Sequence, residues 1–359
     1  MDKKIICLIE SLGSGGAERQ MSGLAVLLKR QGYDVEVWTY YPNDFYLPTL
    51  QDAYVKYRYI AQAQARNKRI PVLRRELMQA NPDTVIAYLD QACIVACIIK
   101  MLGAKFKLIV SERNTTQKLS FRERLKFFFY RFADYVVPNS HTQTDFIAQH
   151  FPSLRKKLHC ITNFVDTDKF CPPKVKTVND LIQILTVARI MPQKNIINYI
   201  MAVRMAVDKG CKFRVDWYGQ ATDAEYYKLC MQTVRDNNLE DIFHFHEPER
   251  DIVKYYQRAD VFCLPSIYEG YPNVICEAMC CGLPILCSNV CDNPRIVEQG
   301  VNGYMFEPLD VVQIAEIIKR YFDSSQNDKL RMGDRSRKIA IELFSSDVFV
   351  AKYVRILNE

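Results

Sequence analysis

The chain has 359 residues, 49% apolar and 25% charged, the balance of a globular protein rather than a disordered or fibrous one. That length predicts about two domains with well-buried cores. The formal charge of +7 is uneven: residues 1–170 hold 25 Lys and Arg against 16 Asp and Glu, and residues 171–359 hold 23 against 25.

Residues 4–10, Lys-Ile-Ile-Cys-Leu-Ile-Glu, read as a buried strand by their continuous apolar run. Met1-Asp-Lys-Lys leads straight into it, which predicts no secretory signal. A glycine-rich loop with Gly13, Gly15 and Gly16 follows, then a helix over 17–30. Gly permits positive φ and close backbone approach there. Further strands are expected at 34–39, 84–88, 106–111, 135–138 and 158–162, with helical stretches between. Residues 118–131, Lys-Leu-Ser-Phe-Arg-Glu-Arg-Leu-Lys-Phe-Phe-Phe-Tyr-Arg, are basic and aromatic at helical spacing. Two readings stand side by side: an interfacial helix on anionic lipid, or a helix with its aromatic face in the core and its basic face in water.

A break falls over 163–179, where Pro172-Pro173 and a polar run read as a linker. A second alternating set begins, with strands expected at 181–188, 213–218, 242–245, 261–265 and 284–287, and an amphipathic helix closes the chain over 345–357. Strand–helix alternation on this scale predicts an α/β fold: two doubly wound, Rossmann-like parallel domains in tandem, residues 1–166 and 174–340. Two such sheets facing each other leave a cleft between their strand C-terminal ends, where ligands bind.

No apolar run approaches the ~20 residues of a membrane span. Thirteen cysteines at irregular spacing, without an export signal, predict a reducing cytoplasm and small buried hydrophobes. The basic first half predicts an anionic partner: a phospholipid surface, a phosphate-bearing acceptor or nucleic acid. Nucleic acid is the weakest of these, because no recognition motif is present and the second half is acidic.

The most informative stretch is Glu269-Gly-Tyr-Pro-Asn-Val-Ile-Cys-Glu277. The apolar run Val261 to Leu264 precedes it, and Gly282 ends the helix after it. The layout is strand, loop with a carboxylate, helix N-terminus, second carboxylate. A helix N-terminus binds phosphate, and Glu277 lies only about 6 Å along that helix. Two carboxylates can then accept from hydroxyls on either side of a diphosphate, the shape of a nucleotide-sugar.

This segment, with Gly282-Leu-Pro after it, resembles the E-x7-E signature of family 4 retaining glycosyltransferases. Gly13-Ser-Gly-Gly-Ala-Glu-Arg19, Asn163-Phe-Val-Asp-Thr-Asp-Lys-Phe170 and Val187-Ala-Arg-Ile-Met-Pro-Gln-Lys194 are similar to family segments in the same order. The resemblance implies the two-domain GT-B fold, with the C-terminal helix 345–359 packing back on the first domain. It implies that Arg189 and Lys194 neutralise the leaving diphosphate without a metal or other cofactor. Glu277 would hold the ribose diol and Glu269 the transferred sugar. Backbone amides around Tyr271, Pro272, Asn273 and Val274, together with Gly15 and Gly16, would complete the donor site.

Asp166-Thr-Asp168 spells the metal-binding D-x-D of the other large glycosyltransferase architecture, but it falls in the family's interdomain segment, which implies a structural role. Many relatives carry a His after the strand at 106–111. This chain has Ser111-Glu-Arg-Asn114 instead, so Glu112, Arg113 and Asn114 are expected on the acceptor side. The five histidines show no ligand spacing, and packing is expected of His244 and His246.

The expected activity is retaining transfer of a hexose or N-acetylhexosamine from a UDP-linked donor. The expected acceptor is a polyprenyl-diphosphate-linked saccharide at the cytoplasmic membrane face, in capsule, O-antigen or exopolysaccharide synthesis. The protein would be cytoplasmic and peripheral on that anionic surface. Two other readings fit the architecture. A nucleotide-sugar epimerase would lack the Arg–Lys plus E-x7-E set. A non-catalytic subunit would bind nucleotide without releasing UDP.

Overall fold

The computed structural model describes residues 3–116, 118–175, 181–249 and 251–359; the end of the expected linker, 176–179, lies outside them. The chain forms two compact units, Met1–Phe164 with Ser346–Glu359, and Val165–Ser345.

The first unit is built on six parallel strands: β1 (Lys4–Leu8), β2 (Asp34–Thr39), β3 (Lys56–Tyr59), β4 (Thr84–Tyr88), β5 (Lys107–Glu112) and β6 (Tyr135–Pro138). Their order is β3-β2-β1-β4-β5-β6. Successive residues of β1 serve opposite faces: Ile5 and Cys7 join one buried cluster, Ile6 and Leu8 the other. A sheet covered on both faces needs apolar residues at every position, which is why its central strands read as unbroken apolar runs.

The second unit repeats the plan with β7 (Ile182–Val187), β8 (Phe213–Tyr218), β9 (Phe243–His246), β10 (Val261–Leu264), β11 (Ile285–Ser288) and β12 (Gly303–Phe306). The order β12-β11-β10-β7-β8-β9 is the same topology, with its first and fourth strands adjacent. Successive connections leave such a pair toward opposite edges of the sheet, and the loops beyond their carboxyl ends part to form a ligand site.

The expected strand at 158–162 is not formed. Leu158 makes a single bridge to Val136, and the amides of His159 and Ile161 donate to Val136 and Pro138 at 3.0 and 3.1 Å, so the segment lines β6 without extending the sheet. The sixth strands are instead β3 and β12, two edge strands. Lys-Tyr-Arg-Tyr carries no apolar run and is largely exposed, as an edge strand can be, whereas Gly-Tyr-Met-Phe is short but mostly buried.

The closing helix, Ser346–Asn358, belongs to the first unit. It buries Phe349, Val350, Tyr353, Ile356 and Leu357 there, and the Tyr353 and Tyr88 hydroxyls meet at 2.7 Å. Lys3 and Lys107 donate to its last carbonyls at 2.9–3.3 Å, where cations complement the helix dipole. None of the thirteen cysteines is in a disulfide, and ten are buried.

Candidate functional site

β7 and β10 are hydrogen-bonded neighbours, so the loops leaving their carboxyl ends start side by side. The first carries Arg189 and Lys194, the second Glu269. They are tied together directly. Ile267 donates its amide to the Gln193 carbonyl at 2.9 Å, and the Gln193 side chain donates to the Tyr268 carbonyl at 2.9 Å. Lys194 Nζ meets Glu269 Oε1 at 2.5 Å, with the two side chains only 12% and 11% exposed. Asn195 then takes a left-handed conformation (φ 59°), turning the chain from a short 3₁₀ turn, Pro192–Lys194, into the helix Ile196–Asp208.

Arg189 is exposed and has no side-chain partner among the described residues. Its loop is held from behind by the Trp217 indole, which donates to the Ala188 carbonyl at 2.8 Å. Gly219, just after β8, lies so close that a Cβ there would sit 1.9 Å from that same carbonyl oxygen. Only Gly fits.

The loop from β10 enters the helix Asn273–Cys280 through Pro272. The first-turn amides of a helix point outward along its axis, so those of Asn273 and Val274 face the loop that holds Glu269. Glu277 lies in the following turn and is 4% exposed, accepting from the Tyr256 hydroxyl at 3.0 Å. Tyr271 is buried with its ring edge-on to Phe344 at 6.1 Å. A buried carboxylate needs donors around it. Sequence reading missed three groups that hold this site: the Tyr256 hydroxyl donates to the Glu277 carboxylate, the Gln193 side chain joins the two loops, and the Cys291 sulfur accepts from the Glu269 amide at 3.5 Å. Tyr256 sits on the short helix Val253–Arg258 and looks in sequence like any other core aromatic.

In the first unit, Gly15 precedes the helix Gly16–Arg30. Neither residue has the positive φ expected of this loop; the positive-φ glycines are elsewhere in the chain. What Gly15 supplies is room, since a Cβ there would meet the Glu18 carboxylate at 2.2 Å.

The expected acceptor-side trio divides. Glu112 is fully buried. It takes Lys126 at 3.0 Å, the Tyr130 hydroxyl at 3.1 Å and the Asn114 amide at 3.2 Å. Burial raises its carboxyl above the ordinary range, and the Lys126 charge offsets part of that. Arg113 is half-buried; it lies 4.7 Å over the Tyr88 ring and donates to Asn163 and to Ser111. Asn114 alone is exposed.

Asp166 caps its own turn, accepting from the amides of Asp168 and Lys169 at 3.2 and 3.0 Å. His246 bonds Asp216 at 2.6 Å and stacks on Tyr218. Among the described residues, no group of three or more His, Cys, Asp or Glu is placed to hold a metal ion.

Residues 14–169 match the model described as Glycosyltransferase Family 4, and residues 169–339 match Glycosyl transferases group 1. The MMP alpha-(1->4)-mannosyltransferase of Mycolicibacterium hassiacum is 26% identical over 57% of this chain and 49% of its own length, so this chain spans about half of it. An enzyme of Campylobacter jejuni is 23% identical over 80% of this chain and 81% of its own. It is the N-acetylgalactosamine-N,N'-diacetylbacillosaminyl-diphospho-undecaprenol 4-alpha-N-acetylgalactosaminyltransferase. The crystal structure of HepE from Anabaena, in complex with UDP, shares the fold at a TM-score of 0.84, with 20% identity over 99% of both chains. With the two family models laid end to end over residues 14–339 and both sheets wound in the same order, this chain belongs to the family 4 glycosyltransferases and is a GT-B enzyme.

Proposed function

We propose that the enzyme transfers a hexose or N-acetylhexosamine with retention from a UDP-sugar to a lipid-linked saccharide, in capsule, O-antigen or exopolysaccharide assembly. The observation that carries this is the Lys194–Glu269 pair beside exposed Arg189, at the switch point of the second sheet. When the glycosyl bond breaks, negative charge builds on the leaving phosphate. Lys194 has three donors and spends one on Glu269, so the others remain for phosphate oxygens. Arg189 supplies a planar fork suited to two oxygens at once. The two cations supply the charge a divalent ion would otherwise bring.

Glu269 then faces the transferred sugar, and Glu277 the ribose. No side chain is assigned as a covalent nucleophile; the acceptor hydroxyl attacks from the leaving-group face and a phosphate oxygen takes its proton. UDP bound to HepE supports the choice of base, and the diphospho-undecaprenol of the Campylobacter enzyme supports a lipid-linked acceptor. A cytoplasmic site follows from where nucleotide-sugars are made.

The test combines thermal shift with UDP release, using a panel of nucleotide-sugars and EDTA throughout. A cognate donor raises the melting temperature by mass action. Each cation contributes about 1.5–3 kcal/mol, so Arg189→Ala and Lys194→Ala lower turnover roughly 10- to 100-fold. Glu277→Ala weakens the donor-induced shift. Full activity in the Glu277 and Lys194 variants would sink the reading, as would donor binding without UDP release for any lipid-linked acceptor.

A further inference from the structure

Helix Phe121–Tyr130 has a defined start: the Ser120 hydroxyl accepts from the Glu123 amide at 3.2 Å, so the capping sequence Ser-Phe-Arg-Glu fixes which face points inward. Phe127 and Tyr130 are buried in the first unit's core. Lys126, counted in sequence as part of a solvent- or lipid-facing charge, is 2% exposed and points inward as well. It pairs with Glu112, Glu123 and Asp90 at 3.0, 2.7 and 3.5 Å.

The outer face is different. Phe121, Leu125 and Phe128 are 80%, 46% and 46% exposed. Their spacing of four and then three residues lines them into one stripe. Lys118, Arg122, Arg124 and Arg131 surround it and are all exposed. Arg131 stands 5.3 Å over the Phe128 ring. Glu123 is the only acid in this stretch, and it is turned toward Lys126.

We propose that this outer face of the helix Phe121–Tyr130 seats the enzyme on an anionic phospholipid surface, with Phe121, Leu125 and Phe128 entering the acyl boundary and Lys118, Arg122, Arg124 and Arg131 meeting lipid phosphates. An apolar stripe with a purely cationic border is the composition of an interfacial helix. A second copy on the same face would set four cations against four, which electrostatics disfavours. Association is peripheral, since no described helix is long and apolar enough to cross a membrane. Lys126 makes the docking face and the acceptor side one piece: it joins the underside of this helix to Glu112, which in turn holds the Asn114 amide. The inference stands on this face alone and does not depend on the donor chemistry.

Sedimentation of the full chain with vesicles tests it. The wild type should pellet with mixed phosphatidylglycerol–phosphatidylcholine vesicles and not with phosphatidylcholine alone, and added sodium chloride should weaken the binding. Arg122→Gln with Arg124→Gln should reduce partitioning roughly 30-fold, and Phe121→Ser with Phe128→Ser roughly tenfold or more. All four side chains are exposed, so both variants should keep the wild-type melting temperature and the wild-type shift with UDP. If the aromatic pair proves unstable, the arginine pair alone decides. The proposal is overturned by binding to neutral vesicles as tight as to anionic ones, by variants that pellet like wild type, or by no pelleting at all. Self-association that is lost in the aromatic variant, without vesicle binding, also overturns it.

Discussion

Lys126 shows how much one side chain's direction changes its meaning. On paper it is one more cation in a basic stretch. In the fold it is a buried ammonium among three carboxylates. Burial alone would lower its pKa, but Glu112 and Asp90 more than reverse this, and the net shift is upward. For a raised lysine, the stabilisation is complete below the ordinary value near 10.4 and is lost as pH rises through the higher folded value. Lys126→Met should cost the first unit about 3–5 kcal/mol at neutral pH, because it leaves fully buried Glu112 without this cation. Urea titrations at neutral and strongly alkaline pH should show the variant's deficit shrinking at high pH. A variant as stable as wild type at neutral pH would refute the account. At the proposed donor site the matching pair is Lys194 and Glu269, whose contact joins loops 75 residues apart in sequence.

At the level of elements, the proposed donor loops depend on how closely β7 and β8 approach each other. Gly219 allows the turn after β8 to press on the Ala188 carbonyl, which fixes where Arg189 leaves the sheet. Gly219→Ala must move that backbone. A cost of about 1–3 kcal/mol in denaturant stability is expected, together with a weaker thermal shift by the donor. Unchanged donor affinity would mean that the Arg189 loop does not need this packing. The helices read well from sequence where caps are explicit, as with Ser120 and Glu123. The strands read well where both faces are covered. β3 escaped because its exposed edge position needs no apolar run, and β12 because its apolar run is only three residues long, while residues 158–162 had the composition of a strand without its pairing.

For the molecule as a whole, the closing helix matters most. Ser346–Asn358 comes last in the chain but completes the core of the first unit. Its five buried apolar side chains contribute on the order of 10 kcal/mol at about 2 kcal/mol each, which equals the whole stability of a typical domain. Removing residues 346–359 should therefore leave the first unit unfolded. Limited proteolysis should degrade it while fragments from Val165–Ser345 persist. A truncated chain that resists protease as well as the full one would contradict this.

The sequence alone determined the tandem doubly wound plan, because covered parallel strands demand apolar runs at nearly fixed spacing. It also determined the strand, loop and helix start around Glu269 and Glu277, because a carboxylate, a tight turn and a helix start must follow one another locally. Only the tertiary structure decided which charges meet. Burial removed Glu112 and Lys126 from the surface, paired Lys194 with Glu269 and supplied Tyr256 to Glu277. Those choices depend on contacts between residues far apart in the chain, which local periodicity does not encode.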